Sequence, residues 1–240
     1  MTAYLALSAL PLYLLGIFYT PLLFAGALAQ FAYLLARGVH LGRIPLAGLH
    51  DTLIFFSSSL VIFSAPFYRP MKEKRMLFYR MLGVSALILA AAAQLSAPHE
   101  GPLPPVLDTY WFELHVALSF FSYALFGIGA FIGILSLRDE SLADLEKKQY
   151  KAIFFGYLLF SASMIFGGIW AFLAWGTYWL WTPKELWTSI LWLFYSFYLH
   201  ARSQPGWRGR KAVLTGILGF ALVLFTYMGV GLLMKSSHSF

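Results

Sequence analysis

Apolar residues recur in runs of span length along the whole chain, broken by short polar segments, and this pattern predicts eight helices. The first covers about Ala3–Tyr19 and the second Leu22–Ala36, hinged at Thr20-Pro21; both are short, so they also fit one bent element. The others run from about Thr52 to Phe67, Leu77 to Leu95, Phe112 to Leu137, Ala152 to Leu173, Glu185 to Ala201 and Val213 to Met234. A bilayer is crossed by about 20 apolar residues of helix. Backbone groups in lipid have no water to bond, so a crossing segment must satisfy itself as a helix. The expected fold class is an all-α polytopic membrane protein with about eight transmembrane helices, forming one integral membrane domain over residues 1–240.

Composition narrows the picture. Of the 240 residues 60% are hydrophobic and 11% charged, against about 25% charged in a soluble domain. There is room for spans and short loops, not for a sizeable soluble domain. The start lacks a basic region and its apolar pattern runs on to Ala36, so it does not read as a cleavable signal peptide. No cysteine is present, which excludes disulfides and thiol chemistry by the chain itself.

The net charge of +7 raises nucleic acid as a partner, but the basic residues sit in short loops between apolar runs. That placement reads as topology. Of the 17 Lys and Arg, 13 fall on one side: Arg69, Lys72, Lys74, Arg75, Arg80, Arg138, Lys147, Lys148, Lys151, Arg202, Arg208, Arg210 and Lys211. The positive-inside rule puts this set in the cytoplasm or its equivalent. The segments 37–51, 96–110 and 174–184 then face outside with both termini. If the first two helices are one, only the N-terminus changes side.

The most unusual stretch is GGIWAFLAWGTYWLWTPKELWTSILW, which holds six of the eight tryptophans. One reading is an aromatic belt at the headgroups. The other is a stacking surface for a large planar ligand, since Trp175, Trp179 and Trp181 share a loop with Gly176 and Tyr178 and indole rings stack on π-systems. Lys184 lies beside them, as a helix-end charge or as a partner for a ligand carboxylate. His115 opens the fifth helix at its outer end and His238 lies in the tail on the same side. Each alone reads as a hydrogen-bonded or solvated residue. Together, beside a stacking loop, two neutral imidazoles match the axial ligands of haem iron. His200, about 15 residues past Glu185 and so roughly 22 Å deeper, is an ionisable group in a span or a solvated residue at the inner interface. His40, His50 and His99 carry no assigned role.

These residues resemble a known family. WGTYWLWTPKE is similar to the WWD signature of haem-handling proteins, W-G-x-Y-W-x-W-D-P-K-E in the CcsA (ResC-like) branch. GWRGRKA, FTYMGV, the closing HSF, LHVALSFFSYALF and GRIPLAGLHDTLIFFSS resemble the same branch, so the likeness runs from about Gly42 to Phe240. It implies a haem-handling subunit of the system II cytochrome c synthase. Such a protein receives haem b from inside and presents it outside to an apocytochrome c with a C-x-x-C-H motif. His115 and His238 are then the outer axial ligands flanking the WWD loop, and His200 is one of two ligands at a transmembrane haem. The second of those comes from a separate CcsB-like membrane protein. The implied location is a bacterial inner membrane with the WWD loop outside, or a thylakoid membrane. The alternatives are a system I CcmC-type haem chaperone, a b-type electron-transfer subunit and a transporter for a non-haem substrate. One departure stands out: the family's Asp after W-x-W is Thr182 here, which keeps a helix cap and puts any role of that carboxylate in doubt.

Overall fold

Lipid leaves a backbone no partner but itself, and in the computed structural model, which describes residues 2–137 and 142–230, every regular element is helical. The α-helices are α1 (Thr2–Gly16), α2 (Thr20–Leu41), α3 (Leu49–Ile62), α4 (Arg75–Ala93), α5 (Tyr110–Ser136), α6 (Leu142–Trp175), α7 (Pro183–Ser203) and α8 (Arg210–Leu224). A π-helical turn, Phe225–Gly229, continues α8. Among the described residues six helical segments are long and apolar enough to cross a membrane: α2, α3 continued to Phe67 by a short 3-10 turn, α4 with the 3-10 turn that precedes it from Lys72, α5, α6, and α8 with its π turn. The chain is an integral membrane protein.

The expected count of eight spans rests on α1 and α7. Helix α1 has only 15 residues. Helix α7 has 21, but Lys184, Glu185, Thr188, Ser189, Ser196, His200 and Arg202 interrupt its apolar pattern. The first two helices are separate elements. They meet at a tight turn, where a Cβ on Gly16 would lie 2.5 Å from Leu23. Helix α2 runs five residues past the expected Ala36 and stops at Gly42, whose φ of 68° is the left-handed cap that glycine supplies. Helix α6 starts ten residues before the expected Ala152. Its first turns are charged and so lack an apolar period, but Leu, Ala, Glu and Lys are strong helix formers, and a Lys148–Asp144 pair spans one turn.

The chain divides into two compact units, Met1–Pro102 and Leu103–Phe240. In the first, Gln30 ties three helices: its Oε1 accepts from Tyr13 on α1 at 2.7 Å and from Ser57 on α3 at 2.5 Å. Arg37 is buried at the far end of α2, a position tolerable only for a paired charge. It donates to Asp51 at 3.2 Å, to Glu100 at 2.5 Å and to the His99 carbonyl, which fastens the loop after α4 to α2 and α3.

The second unit is built on the long pair α5 and α6. Ser119 and Ser163 share a hydrogen bond of 2.6 Å across it, and the Phe126 ring lies where a Cβ on Gly156 would come within 2.9 Å. Helix α8 closes on this pair through Gln149, which donates to the Val213 carbonyl. Tyr195 of α7 stacks on Phe126 with centroids 3.8 Å apart and planes 9° apart. The same ring fills the space beside Gly219, where a Cβ would come within 2.7 Å.

Tyr195 is fully buried between two neighbours, so it cannot swing aside. Gly219→Ala is therefore expected to cost about 1–3 kcal/mol, the usual range for overpacking. A fall of several degrees in the thermal midpoint of the purified protein, with Ala221→Gly as a milder comparison, checks this.

Candidate functional site

A cavity of about 180 Å³ opens in the second unit between α5, α6, α7 and the π turn. His115 is on its wall, with Tyr123, Phe160, Trp170, Trp179 and Lys184. It is smaller than the ~300 Å³ of pockets that enclose a drug-sized ligand. It has room for an edge of a large planar molecule, not for the whole of one.

The ring of His115 is fixed from behind. Its Nδ1 lies 2.9 Å from the Ser163 carbonyl, which can only accept, so Nδ1 carries the proton. The Nε2 lone pair is thereby left for a metal, the arrangement in which protein histidines usually ligate. Space for the ring comes from Gly167, where a Cβ would sit 2.6 Å from Nδ1. Trp170 lies nearly parallel to the ring, 17° apart with centroids at 6.2 Å, and is anchored by a 2.6 Å bond from its indole N–H to the Val106 carbonyl.

The loop between α6 and α7 is folded by one carboxylate. Glu185 accepts from the Leu180 N–H at 3.0 Å and from the Thr182 N–H at 2.8 Å. The Glu185 N–H in turn donates to the Thr182 hydroxyl oxygen, completing a capping box. Thr182 thus performs the cap that an Asp would perform at the same position. Between the two bonded amides sits Trp181, with φ of 57° and 71% of its surface exposed. A left-handed backbone at a bulky residue costs about 1–2 kcal/mol, and it persists here because the residues on both sides are held. At the other end of the loop Gly176, with φ of 73°, ends α6, and Tyr178 stacks on Phe172 at 4.6 Å.

The structure thus brings His115, Trp179 and Lys184 to one cavity. Trp175 stands one layer behind, packed edge-on against Trp170 at 5.0 Å. Trp181 points away from the enclosed space as an exposed ring. Lys184 is half-buried on this wall. His200 is exposed near the end of α7 and is not on the cavity wall. His238 lies outside the described residues. In the first unit both nitrogens of His50 are engaged, with Tyr33 and with the Ala93 carbonyl.

Three participants, Ser163, Gly167 and Thr226, escaped the sequence reading, and Trp170 entered it only as a member of the tryptophan stretch. Ser163 and Trp170 position His115, Gly167 makes room for it, and Thr226 of the π turn joins the wall. The Gly167-Gly168 pair inside a span was the available signal, since small residues in membrane helices mark close approach.

Residues 46–238 match the family model described as cytochrome C assembly protein. The chain belongs to that family. Its relatives include proteins named cytochrome c biogenesis protein CcsA. The one from Guillardia theta is 33% identical over 85% of this chain and 79% of its own length. The one from Chlamydomonas reinhardtii is 31% identical over 86% of this chain and 64% of its own length, and the one from Chlorella vulgaris 31% over 86% and 80%. In this cytochrome c assembly chain, then, the fixed histidine and the carboxylate-folded tryptophan loop share one end of the second unit.

Removing the cap isolates the loop's contribution. Thr182→Ala is expected to lower stability by about 1 kcal/mol, whereas Thr182→Asp holds it within a few tenths, because both Thr and Asp accept from the N3 amide. Chemical unfolding of the two variants beside the parent measures the difference.

Proposed function

We propose that this chain works in cytochrome c biogenesis as the haem-handling subunit of a system II synthase, presenting haem b for covalent attachment to apocytochrome c. The observation that carries the reading is the His115 site: an imidazole with its proton committed to Ser163, on an aromatic wall, in a chain of the assembly family. Haem is the cargo. The partial cavity suits it, because a cargo that must be handed on is held by one edge. Lys184 at the wall supplies a cation for a propionate.

In this reading His115 and His238 take the two axial positions, and Trp175, Trp179 and Trp181 form the WWD platform on the outer face. Helices α1 and α7 complete eight crossings, and haem enters from the inner side. His200, exposed on α7, is a ligand for haem at a second site whose other histidine comes from a CcsB-like partner covering that face. The polar positions of α7 are then shielded by the partner, not by lipid. The span count does not separate this reading from a CcmC-type chaperone; the relatives named CcsA favour it.

The attachment itself is an addition. Each cysteine S–H of the apocytochrome adds across one haem vinyl group: sulfur bonds one carbon and hydrogen the other, with no net oxidation. Haem brings the reactive vinyls and the apocytochrome brings the thiols. The protein's share is orientation, turning a dilute encounter into an effectively unimolecular one.

The test is co-expression with a CcsB-like partner and an apocytochrome c in a host lacking its own synthase. Covalent cytochrome c should appear with the parent chain. His115→Ala and His238→Ala should each abolish it and remove the visible haem spectrum of the purified protein. Gly167→Ala, which displaces the His115 ring without touching a ligand atom, should lower haem content about 10-fold or more, the cost of disturbing a ligand's support. Unchanged spectra and unchanged cytochrome yield in the two histidine variants overturn the assignment.

A further inference from the structure

At the opposite end of the second unit from the tryptophan loop lies a second cavity, of about 330 Å³, walled by Ala143, Glu146, Lys147, Arg202, Arg208 and Gly209. It sits where the first turn of α6, the last turn of α7 and the first turn of α8 come together. Helix α6 has 34 residues between the two ends, a separation of roughly 50 Å at 1.5 Å per residue.

Its chemistry is that of an anion site. Among the described residues on its wall three cations face one carboxylate, and that carboxylate is already committed: Glu146 accepts from Arg202 Nε at 2.5 Å and from Arg202 Nη2 at 3.2 Å. Glu146 is buried, and Arg202 is held over the Tyr150 ring at 3.9 Å, so this corner is rigid. Lys147 and Arg208 reach the same space from exposed backbone positions on either side. The cavity therefore has an excess of two positive charges on a fixed floor. The start of α8 adds to it: Gly209 has φ of 74° and gives no side-chain cap, leaving first-turn amides available to an anion.

The depth of the cavity is marked by Trp207. Its ring packs edge-on against Phe197 at 5.2 Å and lies under Lys211 at 5.8 Å. An indole with one side on apolar helix and the other on a cation belongs at the headgroup level of a bilayer. A basic pocket between membrane helices at that level recognises a phospholipid headgroup. We propose that Lys147, Arg202, Arg208 and the start of α8 form a binding site for the phosphate of an anionic phospholipid, pinning the joined ends of α6, α7 and α8 to one leaflet.

The probe is phosphatidylglycerol, with phosphatidylcholine as the zwitterionic comparison and inorganic phosphate as the soluble source of the same group. Native mass spectrometry of the purified full chain counts bound lipid. The parent should bind phosphatidylglycerol in preference to phosphatidylcholine. Lys147→Gln with Arg208→Gln should weaken it about 25-fold, taking about fivefold for each cation near a lipid surface. Arg202 stays in place, because its loss strands a buried carboxylate. The double variant should keep its helical content and thermal midpoint without added lipid, which separates lost binding from lost folding. Stabilisation by millimolar phosphate, absent in the double variant, with no lipid preference would support the site and assign it to a soluble phosphate. Equal binding of phosphatidylglycerol by the parent and a folded double variant, with no response to phosphate, overturns the proposal.

Discussion

The close approach of α5 to α6 is the constraint on which the second unit depends. Lipid offers no hydrophobic drive between helices, so two spans stay together through backbone proximity, packing and hydrogen bonds. Small residues supply that proximity. Ser119 meets Ser163, Gly129 meets Ile153 and Gly156 meets Phe126. The same feature recurs at the functional end, where Gly167 admits the His115 ring. The histidine proposed as a ligand is thus oriented by the interaction that assembles the unit, and its supporting carbonyl comes from the neighbouring helix. Fold stability and ligand geometry are then coupled, because whatever separates α5 from α6 also removes the acceptor of the His115 proton.

The loop that follows α6 obeys a different rule. Beside the stacking of Tyr178 on Phe172, its shape follows from a charge satisfied by backbone. Glu185 binds two amides that flank Trp181, so the strained, exposed tryptophan is held by hydrogen bonds to its neighbours and not by packing of its ring. This explains why Thr182 is an acceptable substitute for Asp in a fold sense. The two amide bonds belong to Glu185, and position 182 needs only an oxygen that accepts from the N3 amide. Any further use of an Asp carboxylate, such as charge balance against a bound cargo, has no counterpart in Thr.

What the sequence revealed follows the range over which each interaction acts. Apolar period and span length are local, so helices near α3, α4 and α5 were legible with errors confined to their ends. The charged start of α6 was missed because periodicity stops where charges begin, whereas helix propensity does not. Of the residues on the cavity wall, His115 and Lys184 stood out in the sequence as ionisable groups at helix ends, and Trp179 as part of the tryptophan-rich stretch. Ser163 and Thr226 did not, since a serine carbonyl or a wall contact has no residue-type signature and exists only once α5, α6 and the π turn are packed. Trp181 was legible as a member of the motif, but not as an exposed, left-handed residue, which is a consequence of Glu185 binding on both sides of it.

The two ends of the second unit differ in chemistry, and this asymmetry bears on how the chain works. At one end an imidazole, indoles and a half-buried lysine line a small aromatic cavity. At the other an excess of positive charge surrounds a buried glutamate. Both ends converge on α6 and α7, so neither can shift along the membrane normal without the other. A headgroup contact at the basic end would therefore set the height at which the tryptophan loop emerges. Helix α6 is long for a span: at roughly 50 Å it exceeds the ~30 Å hydrocarbon thickness. Its charged first turns must lie in the headgroup region or beyond if its apolar part is to match the core. The basic end is thus the natural reference from which the depth of the aromatic cavity is measured, and the proposed presentation of a cargo to a water-borne partner needs that depth defined.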